Sequence, residues 1–186
     1  MRRFKPESLT IALIALLAAV GSLPMHAGIS VTPEGRIYRG YYKAKSFTVQ
    51  LPAPYEVRAE NFMGTAVIFW RAPESPDARF TEMISVHIDR LWQETSVAKI
   101  MDDKISGSTG EFAMIRRYTE GDSECVIYSL TYLRPSDNER IDSYNFERVR
   151  IIDGYCVAVS CTTLKDRFVE RLDEFESISQ SFSFDP

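Results

Sequence analysis

The stretch Ser123 to Cys161, SECVIYSLTYLRPSDNERIDSYNFERVRIIDGYCVAVSC, decides the fold. Ser123 to Leu133 is rich in aromatic and β-branched residues and reads as a strand. Arg134 to Arg140, with Pro135, Asp137 and Asn138, reads as a turn. Ile141 to Ile152 and Tyr155 to Cys161 flank Asp153-Gly154, a pair suited to a type I′ hairpin because both central positions need positive φ. Centring that hairpin pairs Arg150 with Val157 and Phe146 with Cys161. Centring the preceding turn pairs Leu130 with Tyr144 and Tyr128 with Phe146, provided no bulge intervenes. One face then carries Val126, Tyr128, Leu130, Tyr132, Tyr144, Phe146, Val157, Val159 and Cys161, and awaits a covering helix. The other carries Cys125, Ser129, Thr131, Asn145, Glu147, Ala158 and Ser160, and is expected to be wetter or covered by something thin.

The covering helix follows at once. Thr163 with Asp166 forms an approximate capping box, and Leu164, Phe168, Leu172, Phe175 and Ile178 recur at helical spacing. The closing SFSFDP sets Phe182 and Phe184 on one side of an extended tail. Upstream, Glu111 to Tyr118 reads as a strand, and Thr95 or Ser96 starts a short helix with Val97, Ile100, Met101 and Ile105 on one side before Gly107 stops it. Met83 to Leu91 alternates Ile84, Val86 and Ile88 against Ser85, His87 and Asp89. Thr65 to Trp70 is another apolar run, followed by the Pro-rich loop RAPESPDARF. SFTVQLPAPYEV, from Ser46 to Val57, alternates like a strand with one buried face until Pro52 and Pro54 end it. The expected architecture is α+β: one antiparallel sheet of about six strands packed against helices, the last of them an amphipathic C-terminal helix.

The first residues are of another kind. MRRFKPESLTIALIALLAAVGSLPMHAG has a basic start, an apolar stretch from Leu9 to Val20 and small residues at Ala27 and Gly28, the pattern of an export signal cleaved after Ala27. The apolar stretch is short of the roughly 20 residues a spanning helix needs, so no integral span is expected once residues 1–27 are removed. No Cys follows it that could take a lipid, the first being Cys125. The organisation expected is signal 1–27, a lead-in arm or first strand over 28–45, and a single domain over 46–186, placed in the periplasm or secreted.

The chain has 22 Lys+Arg against 26 Asp+Glu and a formal net charge of −4. Loss of Arg2, Arg3 and Lys5 with the signal makes the rest more acidic, which disfavours nucleic acid and anionic membranes as partners.

The succession SFTVQLPAPYEV, GTAVIFW, ETSVAKIMDD, IDGYCVAVSC and FVERLDEFESISQSFSF resembles the PsbP-like superfamily, which also holds DcrB-like and Mog-like proteins. The resemblance runs from about Ser46 to Phe184 and rests on the order of structural patterns rather than on reacting groups. It implies an antiparallel sheet with helices packed on it, and a module that binds another protein rather than an enzyme.

Chemistry is sparse. Once His26 leaves with the signal, His87 is alone. Ser85, His87 and Asp89 share a strand face, but same-face neighbours lie about 6.5–7 Å apart along a strand, whereas a nucleophile and its base must come within about 3.2 Å. One His and three separated Cys have no zinc-ligand spacing, and Asp102-Asp103 and Glu120-Gly121-Asp122 lack the oxygen-ligand pattern of a calcium loop; no metal and no cofactor are expected. There is no phosphate-binding glycine loop, and Arg116-Arg117, Arg148 and Arg150 read as surface charges. In the register above Cys125 and Cys156 share a face across an intervening strand, too far for a bridge, and Cys161 points the other way. No disulfide is expected; Cys125 with Cys156 is the pair a different register would join. The candidate binding residues are Tyr38, Arg39, Tyr41 and Tyr42 in RIYRGYYKAK, since Tyr and Arg are enriched at binding hot spots. The readings carried forward are an exported protein-binding or envelope accessory module, an immunity protein neutralising a periplasmic toxin of type VI secretion, and a carboxylate-based hydrolase or small-ligand carrier.

Overall fold

The structure, a computed structural model, describes residues 28–32, 35–71, 80–107, 112–133 and 138–185. The proposed signal, the centre of the Pro-rich loop and the turn after Leu133 lie outside them. The architecture is α+β, but with two antiparallel sheets rather than one and eleven strands rather than about six among the described residues. Strands β1 (Ile29–Thr32), β2 (Gly35–Tyr42), β3 (Lys45–Leu51) and β11 (Ser183–Phe184) form the small sheet, in the order β1-β2-β3-β11. The large sheet runs β4-β5-β6-β10-β9-β8-β7, from β4 (Tyr55–Phe62), β5 (Thr65–Arg71), β6 (Met83–Arg90), β7 (Phe112–Glu120), β8 (Ser123–Leu133), β9 (Arg140–Ile152) and β10 (Tyr155–Leu164). Two α-helices lie among the described residues, α1 (Val97–Ser106) and α2 (Phe168–Gln180). No helix among the described residues is long and apolar enough to cross a membrane.

Pro52 and Pro54 end β3 as expected, and the chain re-enters as β4 at Tyr55. The small sheet and α2 cover one face of the large sheet. There Tyr38, Phe47, Val49 and Leu51 meet Phe69, Ile84, Val86, Ile88, Phe146, Val157, Val159 and Cys161, with Phe168, Phe175 and Ile178 from α2. Burying these side chains away from water supplies the main drive to this packing. The other face is covered over β8 and β9 by α1, whose Met101 packs on Val126 and Val149. The Ser96 side chain accepts from the Lys99 N–H and starts α1.

The hairpin at Asp153-Gly154 has the expected register, with Arg150 opposite Val157 and Phe146 opposite Cys161. The preceding turn is displaced by one residue: Leu130 pairs with Ser143 and Tyr128 with Asn145. Because side chains alternate, that single step turns β8 over. Val126, Tyr128 and Leu130 therefore share the α1 face with Glu147, while Cys125 and Ile127 join the α2 face. The face expected to be wetter or thinly covered has α1 as its cover over β8 and β9 and holds Glu147 at 1% exposure. The last helix also starts later than expected. Thr163 is the buried penultimate residue of β10, its hydroxyl donating to Glu82 Oε1 at 2.9 Å; a 3-10 turn over Lys165–Arg167 precedes α2, which has no side-chain cap at its start.

Both outer strands of the large sheet are bulged: β4 slips between Val57 and Ala59, and β7 between Met114 and Arg116. Bulges and charges on an edge oppose pairing with a further strand.

Candidate functional site

Four hairpin turns meet at one end of the molecule, where the connection from β6 to α1 also begins. The β2–β3 turn reaches β6, where Lys43 Nζ donates to Asp89 Oδ1 at 2.7 Å and to the Ile88 carbonyl at 3.1 Å. The β4–β5 turn lies beside the end of β6 because Thr65 pairs with His87. The β9–β10 turn is joined by the Leu91 N–H, which donates to the Gly154 carbonyl at 2.9 Å, and by Lys45 to Asp153 at 3.5 Å. The strand after Gly121 and Asp122 runs antiparallel to β9 from Glu124 opposite Val149, so the β7–β8 turn is at this end too.

Three large apolar side chains stand exposed there: Tyr41 at 65%, Met63 at 64% and Trp92 at 84%. Five of the six described non-glycine residues with positive φ sit in or beside these turns, at Lys43, Ala44, Asn61, Met63 and Asp153. For Ala44 (66°) and Met63 (46°) the left-handed region costs on the order of 1 kcal/mol each. Cations lie over aromatic rings throughout: Lys43 over Tyr42 at 5.0 Å, Arg90 over Trp92 at 5.2 Å, and Lys45 over Tyr155 and Phe184 at 5.5 and 5.3 Å.

The four residues singled out in RIYRGYYKAK divide by strand parity. Arg39 and Tyr41 point outward from β2 and are exposed. Tyr38 is 2% exposed, lies edge-on to Phe69 with ring centroids 4.9 Å apart, and donates to Glu60 Oε1 at 2.6 Å. Burial and that carboxylate push its phenol far above the ordinary tyrosine range. Tyr38 is thus a core residue and Tyr42 a half-buried one. Trp92 and Met63 carry no motif, so their sequence offers only large apolar residues beside turn residues.

The second polar assembly lies on the large sheet beneath and beside α1. Ser85 and His87 do meet there, with Oγ and Nε2 3.2 Å apart, because the side chains lean along the strand and shorten the backbone spacing. The third member is missing: Asp89 is taken by Lys43, and the other imidazole nitrogen faces Thr65 Oγ1 at 3.4 Å. Burial, with help from the Lys104 charge, lowers the His87 pKa to about 4, leaving a neutral ring that is a weak base near pH 7. Glu147 nearby is bound by the Lys104 ammonium and by the Tyr128 hydroxyl. Burial would raise this carboxyl, but the Lys104 charge outweighs it and holds the pKa below the ordinary value. Both polar pairs are occupied with each other.

A third assembly joins sheet to α2. Glu82, 6% exposed, accepts from Thr163, Arg171, Arg71 and Tyr55 at 2.9, 3.2, 3.3 and 3.4 Å. Arg148, expected at the surface, is 3% exposed; it donates to Ser179 Oγ at 3.0 Å and pairs with Glu120 at 2.8 Å. Arg150 is half-buried and donates to the Phe182 carbonyl at 2.8 Å. These guanidiniums fasten α2 and the closing strand.

All three cysteines are free. Cys125 and Cys156 lie on opposite faces, contrary to the expected sharing, and Cys161 shares the α2 face with Cys125. Burial, with the Asp89 and Glu147 charges, pushes the Cys156 thiol up to about 11. Among the described residues no group of three or more His, Cys, Asp or Glu is placed to hold a metal ion.

No protein-family model and no curated protein sequence matches the chain. Solved structures do. LpqN of Mycobacterium tuberculosis, described as involved in cell envelope biogenesis, superposes with a TM-score of 0.51 at 14% identity over 81% of this chain and 92% of its own. Cyanobacterial PsbP from Synechocystis sp. PCC 6803 gives 0.50 at 12% over 90% and 98%. A single-residue variant of the protein Mog1 gives 0.50 at 9% over 86% and 96%.

Proposed function

We propose, from the premise that this chain has the Mog1/PsbP-like fold, that it is an exported accessory module of the cell envelope that binds another protein through the end bearing Tyr41, Met63 and Trp92. Export is supported by the signal-like pattern of residues 1–27. The envelope setting is supported by likeness of fold to LpqN. The observation that carries the binding reading is the presence of exposed Trp, Tyr and Met side chains at one end, with the residue before Trp92 tied by its N–H to Gly154. Trp and Tyr dominate interface hot spots, and a side chain held on a rigid base loses little freedom on docking. The Ser85–His87 pair gives no comparable support to a hydrolase, since no carboxylate among the described residues hydrogen-bonds its imidazole.

The test is co-purification of the tagged full chain from its own cells at low and high salt, alongside the triple variant Tyr41→Ser, Met63→Ser, Trp92→Ser. One stoichiometric protein lost with the triple variant is the expected result. A partner retained by the triple variant, or none at either salt, refutes the reading.

A further inference from the structure

We infer that the protein docked at this end offers an apolar pocket with a carboxylate on its rim, which receives the Trp92 ring while that acid meets Arg90. The inference rests on the docking reading above and adds the partner's chemistry to it. Trp92 is the most exposed of the three apolar side chains there. Its support is anchored, because the neighbouring Leu91 is half-buried and tied by its N–H to Gly154. A large ring projecting from a fixed base fits a concave receptor.

The guanidinium lying on the ring selects one group of the rim, while the exposed Glu94 two residues on keeps the rest of the rim from being uniformly acidic. Lys43 is answered by Asp89 and Lys45 by Asp153, so those cations are neutralised within the chain. Arg90 is exposed, lies over the Trp92 ring, and has no carboxylate partner among the described residues. When Trp92 is buried in a partner, the guanidinium stacked on it loses water as well. A charge desolvated without a counter-charge is strongly unfavourable, whereas a planar guanidinium and a carboxylate form a two-pronged contact. A pocket with a basic or purely apolar rim would therefore reject the pair that a rim bearing a carboxylate beside Arg90 accepts.

The experiment places a photo-crosslinking benzophenone amino acid at position 92, 63 or 41, with 31 and 169 as exposed apolar controls elsewhere, in the full chain in its own cells. Each is made with Arg90 intact and with Arg90→Glu; circular dichroism checks that the exposed substitution leaves the fold alone. The expected outcome is one heteromeric adduct from position 92, weakened at least about tenfold by Arg90→Glu. It should map to a partner peptide next to Asp or Glu, and Lys in place of that acid should restore it with Arg90→Glu. An adduct from position 92 that ignores Arg90→Glu, or that maps to lipid or to a second copy of this chain, overturns the inference. Adducts confined to positions 31 and 169, or none at any position, overturn the docking reading itself.

Discussion

Removing the Lys104 ammonium strands a carboxylate inside the protein. Glu147 is 1% exposed and has Lys104 as its counter-charge, while Lys104 itself keeps 35% of its side chain in water. Breaking a fully buried pair from one side costs about 3–5 kcal/mol, because the remaining charge has neither water nor partner. The partly wet Lys104 end lowers the expected cost of Lys104→Met to about 2–3 kcal/mol. Glu147→Gln should cost only about 1 kcal/mol, since the amide still meets Tyr128 and the freed ammonium can turn to solvent. The decisive species is the double variant Lys104→Met, Glu147→Gln, which holds no buried charge at this place. Its stability by urea unfolding, followed by tryptophan fluorescence, should exceed that of Lys104→Met alone. A Lys104→Met chain within about 0.5 kcal/mol of the parent, or a double variant whose loss equals the sum of the two single losses, would refute the reasoning.

Further outcomes follow from the same contacts. His87 has its pKa lowered to about 4, so between pH 6.5 and 4 the unfolded chain takes up a proton that the folded chain refuses. Its stabilisation is present above about pH 6.5 and fades as pH falls toward 4, at no more than about 1.4 kcal/mol per pH unit; His87→Gln should flatten this slope in urea titrations, and an unchanged slope sinks the assignment. Gly40→Ala should cost about 1–3 kcal/mol, because a Cβ there would meet the Phe47 ring at 2.5 Å and the Tyr38 ring at 2.7 Å; a neutral effect on the melting midpoint would contradict that crowding. Ser96→Ala should cost about 1 kcal/mol through the lost cap of α1, and thermal unfolding that matches the parent would count against it. With its thiol raised to about 11, Cys156 should react with an aromatic disulfide reagent at pH 8 far more slowly in the native chain than in urea; a fast native reaction would show the thiol is not shielded.

The parts of the fold legible in the sequence were those where one strand face differs from the other. β6 shows this plainly: Ile84, Val86 and Ile88 are fully buried. β8 does not, since Cys125, Val126 and Ile127 are all buried, and a strand covered on both sides carries no alternation to correct a register slip. The small sheet has no signature of its own in the sequence, because a period of two says that a residue faces a core, not which sheet it belongs to. For the same reason Tyr38 and Tyr41, three apart in an aromatic segment, looked alike until strand parity sent one inward and the other outward. The Glu82 assembly draws on Tyr55, Arg71, Thr163 and Arg171, whose separation along the chain leaves no local signal.

The order in which the small sheet is assembled sets a condition on when this protein becomes whole. β11 pairs with β3, Phe182 stacks on Phe47 with centroids 5.5 Å apart, and the Asp185 N–H reaches the Ser46 carbonyl at 3.0 Å. A layer begun by residues 29–51 is therefore finished by residues 182–185. Contacts this distant along the chain form late, since their loop must close before they return any energy. Until residues 182–185 are in place the Phe47 ring lacks its stacking partner and the edge of β3 stays open, so a chain cut before them has an unsealed layer.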